Sequence, residues 1–161
     1  MDRREFLSAG AALAASLAAA AARAETHAGH DHAGDTKDAA APADPKLAAI
    51  AKAATDCAST GAACIRHCVV ELGKGDTALA GCLDEVLQTS AICEALAALA
   101  RYTEKPTPRF VAYARACATY CRDCAAECKK HAEHHEACRV CMEACERCAE
   151  ACEALPAPQA G

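Results

Sequence analysis

The chain has 161 residues, enough for one domain, and a formal net charge of −5 at pH 7. This negative charge disfavours nucleic acid or an anionic membrane surface as a partner. Cysteine stands out with 14 residues, whereas the chain has no Trp, two Phe and three Tyr. Much of the 53% apolar fraction is alanine, so few bulky side chains remain to build an ordinary hydrocarbon core.

The first 24 residues, MDRREFLSAGAALAASLAAAAARA, predict a signal peptide. Arg3 and Arg4 resemble the twin-arginine signal, which sends folded proteins across the bacterial inner membrane. The small residues ending at Ala24 predict cleavage there, which removes three basic and two acidic residues and changes the net charge to −6. We therefore expect export to the periplasm. The alternative is an N-terminal anchor, but the apolar run is short, and we expect no stable membrane insertion after cleavage.

Residues 25–45 predict a flexible tail, because they are small, polar and without a helical or strand period. The tail contains His27, His30 and His32, and imidazole is a general ligand for copper and zinc. Weak metal binding and a solvated tail without a site explain these three residues equally well.

Residues 46–155 are predicted to fold into four helices, since apolar residues and cysteines recur at steps of three and four with charges on the opposite face. Gly73 and Gly75 end the first helix. Thr107 followed by Pro108 is typical of an N-cap and the first helical position. The predicted spans are residues 45–72, 77–102, 108–131 and 136–155, with a C-terminal tail at residues 156–161. Short connections favour antiparallel neighbours, so we expect an all-α, antiparallel up-down-up-down four-helix bundle.

The cysteine positions are mirrored within each pair of helices, which predicts a cysteine-lined core. Folding the third and fourth helices together between His134 and His135 pairs Cys117 with Cys152, Cys121 with Cys148, Cys124 with Cys145, Cys128 with Cys141, and His131 with Cys138. Folding the first two helices about Gly75 pairs Cys57 with Cys93 and Cys68 with Cys82. This second fold leaves Cys64 without a thiol partner, opposite Val86.

Cysteines serve in disulfides, redox sites and metal sites, and the regular helical spacing helps to distinguish among these roles. Disulfide-rich small proteins are usually built on irregular chain, and a thioredoxin-like C-x-x-C motif needs a βαβ context that is missing here. Zinc and iron-sulfur clusters take ligands in groups of four, commonly from loops. An unbroken stripe of thiols fits Cu(I), which thiolates select and which accepts two or three of them.

Cysteines four residues apart on a helix suit two-coordinate Cu(I), because two metal–sulfur bonds of ~2.3 Å span about the distance between such side chains. Five pairs have this spacing: Cys64/Cys68, Cys117/Cys121, Cys124/Cys128, Cys141/Cys145 and Cys148/Cys152. If each thiolate bridges two ions, the capacity approaches one Cu(I) per cysteine, about 14 ions. The candidate ligands are therefore Cys57, Cys64, Cys68, Cys82, Cys93, Cys117, Cys121, Cys124, Cys128, Cys138, Cys141, Cys145, Cys148 and Cys152.

The two cysteine runs resemble those of bacterial copper storage proteins, a family of cysteine-rich four-helix bundles, and its exported, twin-arginine branch in particular. The likeness rests on CATYCRDCAAECKKHAEHHEACRVCMEACERCAEAC at residues 117–152 and on CIRHCVVELGKGDTALAGC at residues 64–82. It implies a non-enzymatic homo-oligomer, often a tetramer, which stores many Cu(I) ions for copper enzymes or against copper toxicity. Family members commonly line one mouth of the bundle with Met and His, whereas Met142 is the only methionine here after the leader.

Histidines take the place of methionine at one end of the predicted bundle. The first and third connections lie at the same end of an up-down-up-down bundle, which gathers His67, His131, His134 and His135 near the thiols. We expect some of them to be accessory copper ligands, His131 first because its mirror partner is Cys138; turn-exposed histidines without metal are the alternative. The expected function is exported Cu(I) storage. An exported zinc-binding or thiol redox protein is the alternative from another class.

Overall fold

The computed structural model describes residues 44–156, which form four α-helices and contain no strand. The helices are α1 (Pro45–Gly73), α2 (Ala80–Tyr102), α3 (Pro108–Lys129) and α4 (Glu136–Glu153). The expected signal peptide, with Arg3, Arg4 and Ala24, and the expected tail with His27, His30 and His32 lie outside the described residues. The all-α, four-helix prediction is confirmed.

Local sequence signals set where the helices begin. The Asp44 carboxylate accepts a hydrogen bond from the Lys46 backbone N–H at 2.8 Å, and Pro45 occupies the first position of α1. The Thr107 hydroxyl accepts from the Phe110 N–H in the same way at the start of α3. Gly75 adopts a φ of +97° in the turn after α1, a conformation that favours glycine.

Four helix boundaries differ from the prediction: α1 ends one residue later, at Gly73, and α4 ends two residues earlier, at Glu153, while the start of α2 and the end of α3 also shift. The second helix was expected from Thr77, but Thr77–Leu79 form a 3₁₀ turn before α2, and the Asp76 side chain caps that turn. The third helix was expected to reach His131 but ends at Lys129, because the N–H groups of Lys130 and His131 bond three residues back.

The helices pack as a square in which each is beside its neighbours in the chain and α1 also packs on α4. Thiol contacts show the direction of packing: Cys57 meets Cys145, whereas Cys64, further along α1, meets Cys138, which comes earlier in α4. The chain therefore runs up, down, up and down around one shared axis, as predicted. Among residues 44–156, no helix is both long enough and apolar enough to cross a membrane.

Most of the large buried hydrocarbon side chains lie at one end of the interior, where α1 and α3 begin, whereas Leu79 is buried at the other end and Val86 midway. The buried side chains there are those of Leu47, Ile50, Leu96, Phe110, Val111 and Leu155. Beyond this apolar end the axis is lined mainly by cysteine, which packs as a small hydrophobe when it carries its proton. The interior of the bundle is therefore apolar at one end and lined mainly by cysteine along the rest of its axis.

The α1 and α2 backbones approach closely halfway along the bundle. A Cβ atom on Gly61 would lie 2.3 Å from Ser90 Oγ and 3.5 Å from a methyl group of Val86. Thr89 Oγ1 donates to the backbone carbonyl of Tyr120 at 3.1 Å, which ties α2 to α3 at the same level. At this level α1 and α2 supply no thiol, and this gap divides the sulfur-lined interior.

Candidate metal centre

All 14 cysteines are free and buried, and each is at most 1% exposed. Steps of three and four residues return each thiol to the same face of its helix, and all four helices turn that face toward the shared axis. The predicted cysteine-lined core is therefore present.

The sulfur atoms form five groups, and within each group all sulfur atoms lie within 4.8 Å of one another. The groups are Cys57, Cys93, Cys121 and Cys148; Cys64, Cys68, Cys82 and Cys138; Cys64, Cys128 and Cys141; Cys117, Cys148 and Cys152; and Cys124, Cys141 and Cys145. Cys64, Cys141 and Cys148 each belong to two groups, so neighbouring groups share sulfur atoms. The arrangement is a connected array and not a set of isolated sites.

Contacts between thiols are spaced for a metal between them. Cys82 Sγ lies 3.6 Å from Cys128 Sγ and 3.8 Å from Cys138 Sγ, and Cys93 Sγ lies 3.7 Å from Cys117 Sγ. These distances exceed the ~2.05 Å of a disulfide bond. Three thiolates that share one ion at metal–sulfur distances of ~2.3 Å would stand roughly 4 Å apart. The array can therefore accept ions with little rearrangement of the helices.

Each cysteine pair expected from the mirrored spacing shares one of the five groups. On α3 and α4 these pairs are Cys117/Cys152, Cys121/Cys148, Cys124/Cys145 and Cys128/Cys141; on α1 and α2 they are Cys57/Cys93 and Cys68/Cys82. The prediction succeeds because antiparallel helices with the same rise keep mirrored residues level with one another.

The mirrored spacing left Cys64 without a thiol partner on the second helix, opposite Val86, and the structure corrects this. Cys64 Sγ lies 3.8 Å from Cys82 Sγ and 4.0 Å from Cys68 Sγ, and it also shares a group with Cys128 and Cys141. The mirrored pairing compared two helices at a time, whereas a thiol on the shared axis contacts thiols of all the other helices. Cys64 is therefore one of the most connected positions in the array.

The five pairs spaced four apart are not equivalent. Cys64/Cys68, Cys141/Cys145 and Cys148/Cys152 each share a group, as a two-thiolate clamp requires. The pairs Cys117/Cys121 and Cys124/Cys128 are divided between groups whose other members lie on neighbouring helices. Contacts between helices therefore compete with contacts along α3.

Burial and mutual hydrogen bonding spread the acidities of the thiols widely. A hydrogen bond from Cys121 is the main cause that lowers the pKa of Cys57, to about 6, and that of Cys117, to about 5. Burial raises the pKa of Cys68 to about 12, with the neighbouring charge of Cys82 as the second cause. Hydrogen bonding with Cys117 raises the pKa of Cys93. Thiols that contact one another therefore differ in acidity.

Three of the four candidate histidines meet at the end of the array that contains Cys68 and Cys138. His67 Nε2 lies 2.8 Å from His135 Nδ1, and the rings of His131 and His135 are 6.4 Å apart. His131 Nε2 is buried without a hydrogen-bond partner among residues 44–156, and its nearest carboxylate, Glu127 Oε1, lies 3.9 Å away. His134, in contrast, is exposed.

Sequence reasoning missed two features that shape the site. The first is the burial of the His131 Nε2 atom, which depends on how the α3–α4 turn folds back and leaves no periodic signal. The second is the close approach of α1 to α2 at Gly61, for which the only signals were that Val86 stands opposite Cys64 in the mirrored pairing and that α2 carries fewer cysteines than α3 or α4.

Comparison with known proteins identifies the class of this site. Residues 43–157 match the family described as Csp, copper storage protein. The copper storage protein Ccsp from Streptomyces lividans, in a structure loaded with 10 copper equivalents, is 33% identical with a TM-score of 0.63, covering 72% of this chain and 87% of that one. Comparison with curated protein sequences gives no match.

Two further solved structures are similar. One is described as copper loading to a cytosolic copper storage protein from Streptomyces lividans with five coppers; it is 36% identical, has a TM-score of 0.61, and covers 67% of this chain and 89% of that one. The other is a histidine-to-alanine variant of Streptomyces lividans Ccsp, with 33% identity, a TM-score of 0.61 and the same shares covered.

The expected export to the periplasm is contradicted by this comparison, because the relative that is 36% identical is described as cytosolic. The expectation depended on Arg3, Arg4 and Ala24, and a basic start before an alanine-rich run is a short pattern that does not require translocation.

The match over residues 43–157 and the shared groups of buried thiols lead to the same conclusion. The chain belongs to the copper storage protein family.

Proposed function

We propose that this protein is a non-enzymatic store of Cu(I), which it holds through core thiolates for supply to copper enzymes, for protection against free copper, or for both. The observation that carries the proposal is the connected array of buried thiols, in which Cys64, Cys141 and Cys148 each belong to two groups. Shared thiolates increase the number of ions that can be held, whereas catalysis at one ion needs no such array.

The choice of Cu(I) rests on softness and coordination number. Thiolates select soft ions, and Cu(I) accepts two or three of them, which suits the three groups of three thiols. Zinc prefers four ligands around one ion, and two groups offer four thiols. Zinc would use those two groups. The remaining groups have three thiols each and would not offer zinc its four ligands. All 14 cysteines, from Cys57 to Cys152, are proposed as ligands.

A competitive titration tests the proposal. The reduced protein is titrated with Cu(I) against a strong chelator, and with Zn(II) in parallel. We expect saturation near a dozen Cu(I) ions and displacement of zinc by copper. Saturation at three or four ions, or a preference for zinc, would contradict storage and favour the zinc-binding alternative.

Copper is proposed to enter and leave at the histidine end. The opposite end is closed by Leu47, Ile50 and Leu96, which offer no ligand and are fully buried. His131 is the best placed accessory ligand, because its buried Nε2 lacks a hydrogen-bond partner in the described part of the chain. His67 and His135 lie beside it, whereas His134 faces solvent.

Two matched variants separate His131 from the other histidines of the turn. His131→Ala is expected to slow the loading and the chelator-driven removal of Cu(I), while the total bound changes by one ion at most. His134→Ala is the control, and we expect wild-type rates from it. Equal rates for both variants would show that His131 has no part in transfer.

A further inference from the structure

The Glu127 carboxylate lies beside His131 at the histidine end of the bundle. Its Oε1 atom is 3.9 Å from His131 Nε2, and both side chains are largely buried, with 20% of Glu127 and 14% of His131 exposed. The His131 nitrogen is buried and has no hydrogen-bond partner among residues 44–156, a state that costs free energy. Glu127 is therefore the group to which this nitrogen can turn.

Two neighbours determine where the Glu127 carboxylate lies. Lys130 Nζ donates to Glu127 Oε2, so the other oxygen, Oε1, remains for a second donor. A Cβ atom on Gly81 would lie only 2.7 Å from Oε1, which shows that the carboxylate packs on the first turn of α2. Glycine leaves room for this close approach. The carboxylate is therefore held between α2 and the end of α3, with Oε1 near His131.

The position of this carboxylate is not explained by α3 alone. Glu127 lies in the last turn of α3, where the negative end of the helix dipole disfavours an anion. The start of α2 offsets this effect, because the positive end of its dipole lies beside the same carboxylate. Contact with α2 therefore stabilises an anion at a place where α3 by itself would not.

No other carboxylate at this end of the described chain competes for His131 Nε2. Glu133, in the turn between α3 and α4, is exposed, and Glu71 accepts from Lys74 Nζ at 2.8 Å. Glu127 Oε1, at 3.9 Å, is therefore the acceptor available to this nitrogen.

A hydrogen bond from Nε2–H to Glu127 decides which ring nitrogen of His131 can bind an ion. A neutral imidazole carries one proton, and the nitrogen without it is the one that binds a metal. A carboxylate that accepts from one nitrogen fixes this choice and the direction of the ring. Shortening the 3.9 Å to a hydrogen bond needs a shift of about 1 Å. Rotation of the two side chains supplies it while the His131 N–H stays bonded to the Cys128 carbonyl at 3.0 Å.

We propose that Glu127 is a positioning residue for His131: its carboxylate accepts a hydrogen bond from Nε2–H and leaves Nδ1 to bind Cu(I). The inference rests on the proposed function, in which His131 takes part in copper transfer. Glu127 itself does not bind the ion. Its effect on copper therefore passes through the His131 ring and disappears when that ring is removed.

The ring tautomer tests the proposal without copper. ¹⁵N NMR of the full, reduced, metal-free chain distinguishes the protonated from the unprotonated ring nitrogen. We expect the neutral His131 ring to carry its proton on Nε2 in the wild type, and Glu127→Ala to lose this preference because a buried N–H without an acceptor is costly. Gly81→Ala should have the same effect, because its methyl group displaces the Glu127 carboxylate. Glu133→Ala, which removes an exposed carboxylate from the same turn, is the matched control and should leave the ring unchanged.

Copper transfer tests whether the carboxylate acts through the ring. Stopped-flow loading of Cu(I) from a coloured chelator should be slowed about tenfold by Glu127→Ala, while the total bound stays within one ion of the wild type. The double variant of Glu127→Ala and His131→Ala should load no more slowly than His131→Ala alone. Circular dichroism confirms that each variant is folded.

A proton on Nδ1 in the wild type, a ring that Glu127→Ala leaves unchanged, or additive losses in the double variant would each overturn the positioning role. A low Cu(I) capacity of the wild type would instead contradict storage, and the ring tautomer would still decide whether Glu127 positions His131. The two failures are therefore distinguishable.

Discussion

The Cys57 sulfur lies 3.6 Å from the Cys145 sulfur, and this contact joins the two halves of the thiol array. The group of Cys57, Cys93, Cys121 and Cys148 lies toward the apolar end, whereas Cys145 belongs with Cys124 and Cys141, which connect to the histidine end. The gap at Gly61 and Val86 lies at this level. If this chain stores copper as proposed, an ion that passes from one half to the other must cross this narrow set of thiols.

Replacing Cys145 should make the two halves load at different rates. Cys145→Ala removes the bridge to Cys57, so we expect the histidine half to fill at the wild-type rate and the inner half to fill more slowly, by tenfold or more. Stopped-flow transfer of Cu(I) from a coloured chelator measures both phases. Cys152→Ala removes one thiol at the inner end without interrupting the array, and it should lower capacity without adding a slow phase. A single phase for Cys145→Ala would contradict the bridge.

A thiol in place of Val86 should increase copper capacity. Val86 is 1% exposed and lies on the buried face of α2 between Cys82 and Cys93. Val86→Cys should therefore raise the bound Cu(I) by about one ion, at a cost of about 1 kcal/mol in the stability of the metal-free protein. Val111→Cys, in the apolar end, is the control and should add none. Equal gains for both would indicate nonspecific binding, and the measurement is a chelator-limited titration with chemical unfolding alongside.

Copper affinity should fall as pH falls, because protons and copper compete for the same thiolates. Burial raises the pKa of Cys68 to about 12, so this thiol must lose a proton on binding throughout the neutral range, and affinity there falls about tenfold per pH unit. The pKa of Cys57 is lowered to about 6, chiefly by the Cys121 hydrogen bond, so this thiol adds to the dependence only below about pH 6. Competition titrations between about pH 6 and 9 should give a shallower slope for Cys68→Ser than for Cys57→Ser. Identical slopes would contradict these acidities.

The close approach of α1 and α2 should make Gly61 intolerant of a side chain. Gly61→Ala places a methyl group 2.3 Å from Ser90 Oγ, and we expect the free energy of unfolding to fall by about 1–3 kcal/mol. Ser90→Ala removes the oxygen, which has no hydrogen-bond partner among the described residues, and the double variant should recover most of the loss. Chemical unfolding of the metal-free protein measures the four forms, and additive losses would place the strain elsewhere.

The helices and the level of most thiols could be predicted, because helical rise is a property of the backbone and short connections make neighbouring helices antiparallel. The mirrored pairing was wrong for Cys64, which has thiol neighbours on the three other helices. The two pairs on α3 contact thiols of other helices instead of sharing a group, since side-chain direction depends on packing. The burial of the His131 Nε2 atom depends on the turn after α3 and could not be predicted from periodicity. The prediction of a periplasmic location was wrong for a different reason. Arg3 and Arg4 direct export only if a translocation receptor recognises them.

If copper enters and leaves at the histidine end, as proposed, the apolar end made by Leu47, Ile50 and Leu96 determines the order in which copper is released. A column closed at its base and loaded from the histidine end behaves as a stack: ions that arrive first settle deepest, and ions that arrive last leave first. Copper near Cys68 and Cys138 would then exchange quickly with the surroundings, while copper near Cys117 and Cys152 forms a reserve that is released only after the outer ions have gone.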